Sequence, residues 1–300
     1  MFIADTHSDT LYAIGVRNAP LNTLMITPEK LRKGGVSLQT FALWTGSQGN
    51  RGDVEGIVRG ELNARKVFED AGIHQVDDPA SVKEGENAFM LSVEGGEVFE
   101  KGIEAVSEYR NLGVRMTALV WNNENAIGYP AKSGETKGLK PYGLQVVREM
   151  QSCHMAVDTS HLNEAGFWDI FNHTDVPPLA SHSCCMSLCR HFRNLTDEQI
   201  RAMIRDGGYI GINFYPAFLS ESGTCTVERV AEHIDYVCQM GGEKIVGFGS
   251  DFDGIETAPD RLGGSDEVPN LLDALRRRGM SEETISDIAG RNLLSYFSRI

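Results

Sequence analysis

A single α/β barrel of the (β/α)8, TIM type is the fold class this sequence predicts, and three observations predict it. Eight short apolar runs alternate with amphipathic segments along the chain. The first run is not followed by a Gly-x-Gly-x-x-Gly turn, which disfavours the rival doubly wound sheet. Ionisable residues recur at the C-terminal ends of the runs, where barrels of this kind carry their chemistry. The 300 residues suit one such barrel.

Taken in order, the runs are MFIAD, VSLQTFALW (Val36–Trp44), AFMLSVEG (Ala88–Gly95) and VRMTALVW (Val114–Trp121). MAVDTSH (Met155–His161), PLASHS (Pro178–Ser183), GYIGINFY (Gly208–Tyr215) and KIVGFGSD (Lys244–Asp251) complete the set. Each is the length of a buried strand. Helical patterns such as DVEGIVRGELNARKVFEDAG, YGLQVVREMQSC and TVERVAEHIDYVCQMGG lie between them. Thr196 and Gln199 have the spacing of a capping box, and the glycines ending at Gly208 suit a helix stop before a strand. Residues 1–300 are read as one domain, with two closing helices over 266–300 packed on it and Ser281 as N-cap of the last.

The formal charge of −14 argues against nucleic acid or an anionic membrane as partner. No apolar stretch approaches the roughly 20 residues needed to span a bilayer, and no leader pattern precedes the first run. The six cysteines, Cys153, Cys184, Cys185, Cys189, Cys225 and Cys238, have neither disulfide-scaffold density nor zinc-finger spacing. The expectation is a cytoplasmic protein with reduced thiols.

The first run leads directly into DTHSDTL, with His7 and Asp9 two residues apart. Alternate residues of an extended chain face the same way, so the pair suits a strand-end ligand motif. Alone, such a pair is more commonly a polar turn after a buried strand. The third run, however, ends in Glu94, the fifth in His161, the sixth in His182 and the eighth in Asp251. Three histidines with carboxylates suit two Zn2+ ions, ahead of Mn2+ or Fe2+. His7 and Asp9 would hold one ion and His161 and His182 the other. Glu94 would bridge them, and a bridging water would become the nucleophile near neutral pH. Asp251 is left to take its proton and pass it to a leaving group.

The stretches DTHSDTL, SVEGGE, GLKPYGLQVVREMQSCHMAVDTSHL, SHS, RNLTDEQI, INFY and GFGSDFDG, in that order, resemble the membrane (renal) dipeptidase family, metallopeptidases within the amidohydrolase superfamily of barrels. The resemblance implies that His7, Asp9 and Glu94 bind one zinc and Glu94, His161 and His182 the other. It also implies that Arg193 grips a substrate carboxylate, that Tyr215 lines the pocket, and that Asp251 is the acid/base. Asp253 reads as structural. The substrate implied is a dipeptide, with L-Xaa-D-Xaa forms included, and the assembly implied is a homodimer.

Two positions depart from the family pattern. Trp121 stands where the family places a histidine that stabilises the tetrahedral intermediate, and its indole has one donor and no charge. Trp121, Asn122 and Asn123 are therefore candidate donors to an oxyanion. His154 stands where the family has glycine, remote from the site end of the strand. The tryptophan leaves room for a related hydrolase acting on another amide, an N-acyl amino acid or a lactone. An inactive metal-binding homologue is the third reading.

Overall fold

The computed structural model describes residues 1–46, 53–175 and 177–300. Eight parallel strands close on themselves: β1 (Ala4–Asp5), β2 (Leu38–Trp44), β3 (Ala88–Glu94), β4 (Val114–Ala118), β5 (Ala156–Asp158), β6 (Leu179–Ala180), β7 (Tyr209–Ile212) and β8 (Val246–Phe248). All eight fall within the eight apolar runs. Closure is made where β1 pairs with β2 through Ala4↔Leu38 and with β8 through Asp5↔Phe248. The longest ladder runs from Leu38↔Ala88 to Trp44↔Glu94 and fixes Glu94 at a strand end. A two-residue strand, His74–Gln75, borders the start of β3 ahead of β4.

The chemistry is confined to one mouth because the other is stoppered. Leu293, Tyr296 and Phe297 of the final helix pack against Ala4, Leu38, Met90, Met116, Leu179 and Tyr209 at the strand starts. Each large side chain buried there contributes on the order of 2 kcal/mol. Polar anchors fix the stopper: Asn292 Nδ2 donates to Val246 O at 2.8 Å, and Tyr296 Oη to Pro177 O at 2.8 Å. The capping box at Thr196/Gln199 forms, with Gly207 closing that helix at φ 74°, and the Ser281 side chain caps the last helical segment. All six cysteines are free thiols. Among the described residues no helix is long and apolar enough to cross a membrane.

His154 now has a backbone explanation. It follows the helix Pro141–Ser152 and adopts φ 55°, the left-handed turn through which the chain enters β5. Glycine takes that conformation without the steric cost borne by a residue with a Cβ. His154→Gly is expected to stabilise the fold by about 1 kcal/mol, raising the thermal midpoint by about 2 °C in calorimetry.

A second histidine ties two loops together. Buried His233 accepts from Cys185 N through Nδ1 at 3.1 Å, and its Nε2 lies 3.0 Å from Leu219 O. Burial pushes its pKa down from 6.5 to about 4, the hydrogen bond to Leu219 opposing the shift. The unfolded chain therefore binds the proton first. The neutral side chain's stabilisation is complete above pH 6.5 and is lost as pH falls towards 4, up to about 3 kcal/mol. Urea unfolding of wild type and His233→Gln should show their stability difference shrinking by that amount from pH 7 to pH 4.

Candidate metal centre

The open mouth gathers the strand-end residues into one cluster. Glu94 lies at its centre. Its Oε1 is 2.9 Å from His161 Nε2, 3.4 Å from His182 Nε2 and 3.7 Å from His7 Nε2. His7 Nε2 is also 3.7 Å from Asp9 Oδ2 and 3.9 Å from Asp251 Oδ1. All six residues named from their register are thus brought together.

Local structure explains the convergence. Asp9 stands at the start of the helix Thr10–Gly15 but makes no capping bond with its side chain, and its buried Oδ1 has no hydrogen-bond partner. An aspartate at this position would ordinarily cap the helix. His161 and Asp251 take φ 68° and 62° as the chain leaves β5 and β8. Such left-handed residues cost about 1–2 kcal/mol each and persist where the surroundings impose them. Gly254 leaves room for the acids: a Cβ there would sit 2.0 Å from Asp9 Oδ2 and 2.7 Å from Asp251 Oδ1.

Supporting hydrogen bonds orient the histidine rings. Ser181 donates to Asp158 and receives His182 Nδ1–H at 2.7 Å, which leaves His182 Nε2 bare towards the centre. Asn122 Oδ1 lies 3.3 Å from His161 Nδ1 and orients that ring in the same sense. The two Nε2 atoms are then 3.0 Å apart, and burial holds both imidazoles well below their ordinary pKa range, hence neutral. Facing lone pairs at that separation repel unless a cation lies near them.

The acids point to the same conclusion. Burial raises Glu94 well above the usual carboxylate range, with Asp9 adding to the shift. It raises Asp251 to about 7, with His7 opposing. Burial opposes a charge on His7, but Glu94, then Asp9, overcome it and lift the imidazole to about 10. His7 Nε2 has no hydrogen-bond partner, and its ring stacks on His182 at 3.8 Å. Mutually repelling carboxylates, bare imidazole nitrogens and an unpartnered Oδ1 form a donor set that fits divalent cations.

Around the cluster is a cavity of about 250 Å3. Arg193, Tyr215, Trp121 and Asn122 all line it, together with Tyr12, Trp44 and Phe218. Arg193 is 5% exposed, donates to His182 O at 3.4 Å, and keeps Nε without a partner. Trp121 packs edge-on against Trp44 at 5.1 Å and lies 6.2 Å from the His161 ring. Asn123 is not among the lining residues. Asp253 has the structural role read for it, accepting from Thr10 Oγ1 at 2.6 Å and Met25 N at 2.7 Å.

Asn213 is a further member of the site, one that no charge marks in the sequence. Buried at the end of β7, it donates to Asp251 Oδ2 at 2.8 Å and accepts from Tyr215 N at 2.6 Å. Its strand-end register, equivalent to that of the other site residues, was the available signal. Asp158 and Ser181 lie inside their runs rather than at the ends, and what they do, orienting His182, depends on a contact between two strands.

The whole chain, residues 1–300, matches the model of the membrane dipeptidase family, Peptidase family M19. The chain belongs to that family. An uncharacterized protein in the pqqA 5′ region of Klebsiella pneumoniae is 34% identical over 223 residues, covering 71% of this chain and 82% of that one. An uncharacterized dipeptidase of Schizosaccharomyces pombe is 34% identical over 209 residues, 68% of this chain but 51% of its own length. The chain thus spans about half of that longer relative. Among solved structures, a metallo peptidase from Rhodobacter sphaeroides liganded with a phosphinate mimic of the dipeptide L-Ala-D-Ala superposes with TM-score 0.90 at 24% identity, covering 100% of this chain and 99% of that one. A dipeptidase of family M19 superposes equally, TM-score 0.90 at 25% identity over 100% of this chain and 98% of that one. As a member of the dipeptidase family, the chain shares the TIM-barrel fold of these metallopeptidases.

Proposed function

We propose that this protein is a two-metal dipeptidase. The observation that carries the reading is Glu94, one carboxylate within 2.9–3.7 Å of three histidine Nε2 atoms, in a chain of the dipeptidase family. His7, Asp9 and Glu94 would hold one ion and Glu94, His161 and His182 the other, with zinc suited to the imidazole and carboxylate donors. When bound, such ions would polarise the scissile carbonyl and acidify the attacking water.

The remaining tasks fall to side chains. Arg193, with a buried unpartnered Nε, binds the C-terminal carboxylate of the substrate, and its planar fork suits that anion. A cavity of about 250 Å3 with that arginine in its wall limits the substrate to a short peptide. Asp251, held by Asn213, takes the proton of the attacking water on a carboxylate oxygen and returns it to the leaving amine. The Trp121 indole closes the wall beside His161 and offers its N–H to the developing oxyanion. L-Xaa-D-Xaa dipeptides belong in the substrate range, in line with the phosphinate held by the Rhodobacter relative. A homodimer is part of the same reading and is checked by sedimentation.

The direct test is hydrolysis of a dipeptide panel by the zinc-loaded protein. Chelation should abolish turnover and zinc should restore it; activity indifferent to metal stripping rules the mechanism out. Trp121 in place of a histidine favours a second reading, an amidase for N-acylated substrates. An N-acetyl dipeptide cleaved faster than the free dipeptide would select it.

A further inference from the structure

The cavity wall holds one charged side chain that neither the cluster nor its support uses. Arg17 lines the rim, exposed, beyond the end of the helix Thr10–Gly15. Every other charged lining residue is engaged. Asp9, Glu94 and Asp251 converge on His7, and Arg193 bonds His182 O. Asp253 is bonded to Thr10 and Met25 N, and Glu256 bonds the Tyr215 hydroxyl. Among the described residues the Arg17 guanidinium has no hydrogen bond or ion pair.

Its backbone is nevertheless firmly set. Arg17 N donates to Tyr12 O at 3.1 Å, and Asn18 turns the chain at φ 53°. The helix before it lies backbone to backbone on Val54–Ala64: a Cβ on Gly15 would sit 2.2 Å from Gly60 O. Burial raises the Tyr12 phenol, and the Arg17 charge opposes that shift. Tyr12, Trp44 and Trp121 continue edge to face along the wall at 4.5 and 5.1 Å. Arg17 and these three aromatic side chains thus line the same cavity, with the backbone beneath Arg17 held by close helix packing.

Position decides what it meets. Arg17 follows β1 and Arg193 follows β6, three strands apart around the barrel by way of β8 and β7. Arg17 and Arg193 line the same cavity, so a dipeptide with its C-terminal carboxylate on Arg193 and lying across the mouth would bring its N-terminal residue to the β1 rim. We propose that Arg17 selects dipeptides whose N-terminal residue has an acidic side chain, binding that carboxylate through its guanidinium fork. The assignment rests on the dipeptidase reading for the direction of the substrate, and on the unpaired guanidinium for the chemistry.

L-Glu-D-Ala and L-Gln-D-Ala, equal in shape and different in charge, form the test pair. The zinc-loaded wild type should show a kcat/KM ratio, Glu over Gln, of about five- to tenfold, carried by KM. Arg17→Met should bring the ratio to about one, Arg17→Lys should retain part of it, and rising salt should erode it. Equal rates for the two peptides in wild type, or a preference that survives Arg17→Met, overturns the proposal while leaving the dipeptidase reading intact. Calorimetric titration of the same peptides separates the two ideas. Tighter binding of the Glu peptide by wild type but not by Arg17→Met, with no turnover of any dipeptide, upholds anion selection and sinks the dipeptidase reading. Neither binding nor turnover overturns both.

Discussion

Glu94→Gln is expected to remove dipeptide hydrolysis by about a thousandfold or more and to strip the protein of tightly held metal. The amide nearly matches the carboxylate in shape, so strand β3 and its ladder to β2 should be undisturbed. What is lost is the negative charge facing three Nε2 atoms within 3.7 Å. Two of those nitrogens are 3.0 Å apart and neutral, so a cation held by them would depend on Glu94 for compensating charge. Elemental analysis after dialysis against a weak chelator checks the metal content. Calorimetry gives an independent measure, because zinc should raise the melting temperature of the wild type and do so far less in the variant. A variant that keeps its full metal complement and activity would remove Glu94 from the centre.

Asp251→Asn should separate chemistry from binding. Its kcat is expected to fall by about 10²- to 10⁴-fold with KM little changed and metal retained. The substitution is chosen for the backbone as well as the charge. Asp251 sits at φ 62°, which asparagine tolerates better than most residues, and the amide oxygen can still accept from Asn213. The fold and the pocket wall therefore survive, and only the ability to take a proton is lost. Steady-state kinetics with metal analysis on the same preparation decides it; an unchanged kcat would exclude Asp251 as proton carrier.

Most of the barrel was legible because parallel strands covered on both sides need nearly continuous apolar runs, and such runs stand out. The two-residue strands β1 and β6 occupy only a small part of the runs MFIAD and PLASHS, immediately before the candidate ligands His7 and His182. Site residues could be read where register makes a charged side chain improbable as core. Asn213 and Ser181 escaped because neutral polar residues are ordinary at strand ends, and their importance lies in whom they touch. Arg17 escaped for a different reason. No periodicity marks a residue that matters only because a helix ends beside a pocket. His154 departs from the family pattern, but its meaning, a left-handed backbone, is not visible in a string of letters.

The seam between β1 and β8 sets an order of events for the chain's manufacture. Ser250 Oγ donates to His7 O across 243 residues, Asp251 N donates to the same carbonyl at 3.1 Å, and Asp9 N donates to Phe252 O at 3.0 Å. The loop bearing His7 and Asp9 is synthesised well before the Ser250–Phe252 loop and gains these restraints only once that later loop has emerged. Contacts so distant in sequence form late and slowly. Metal acquisition is therefore a finishing step: a chain interrupted before Ser250 carries all five proposed ligands and still lacks the stitch that holds the first two in place.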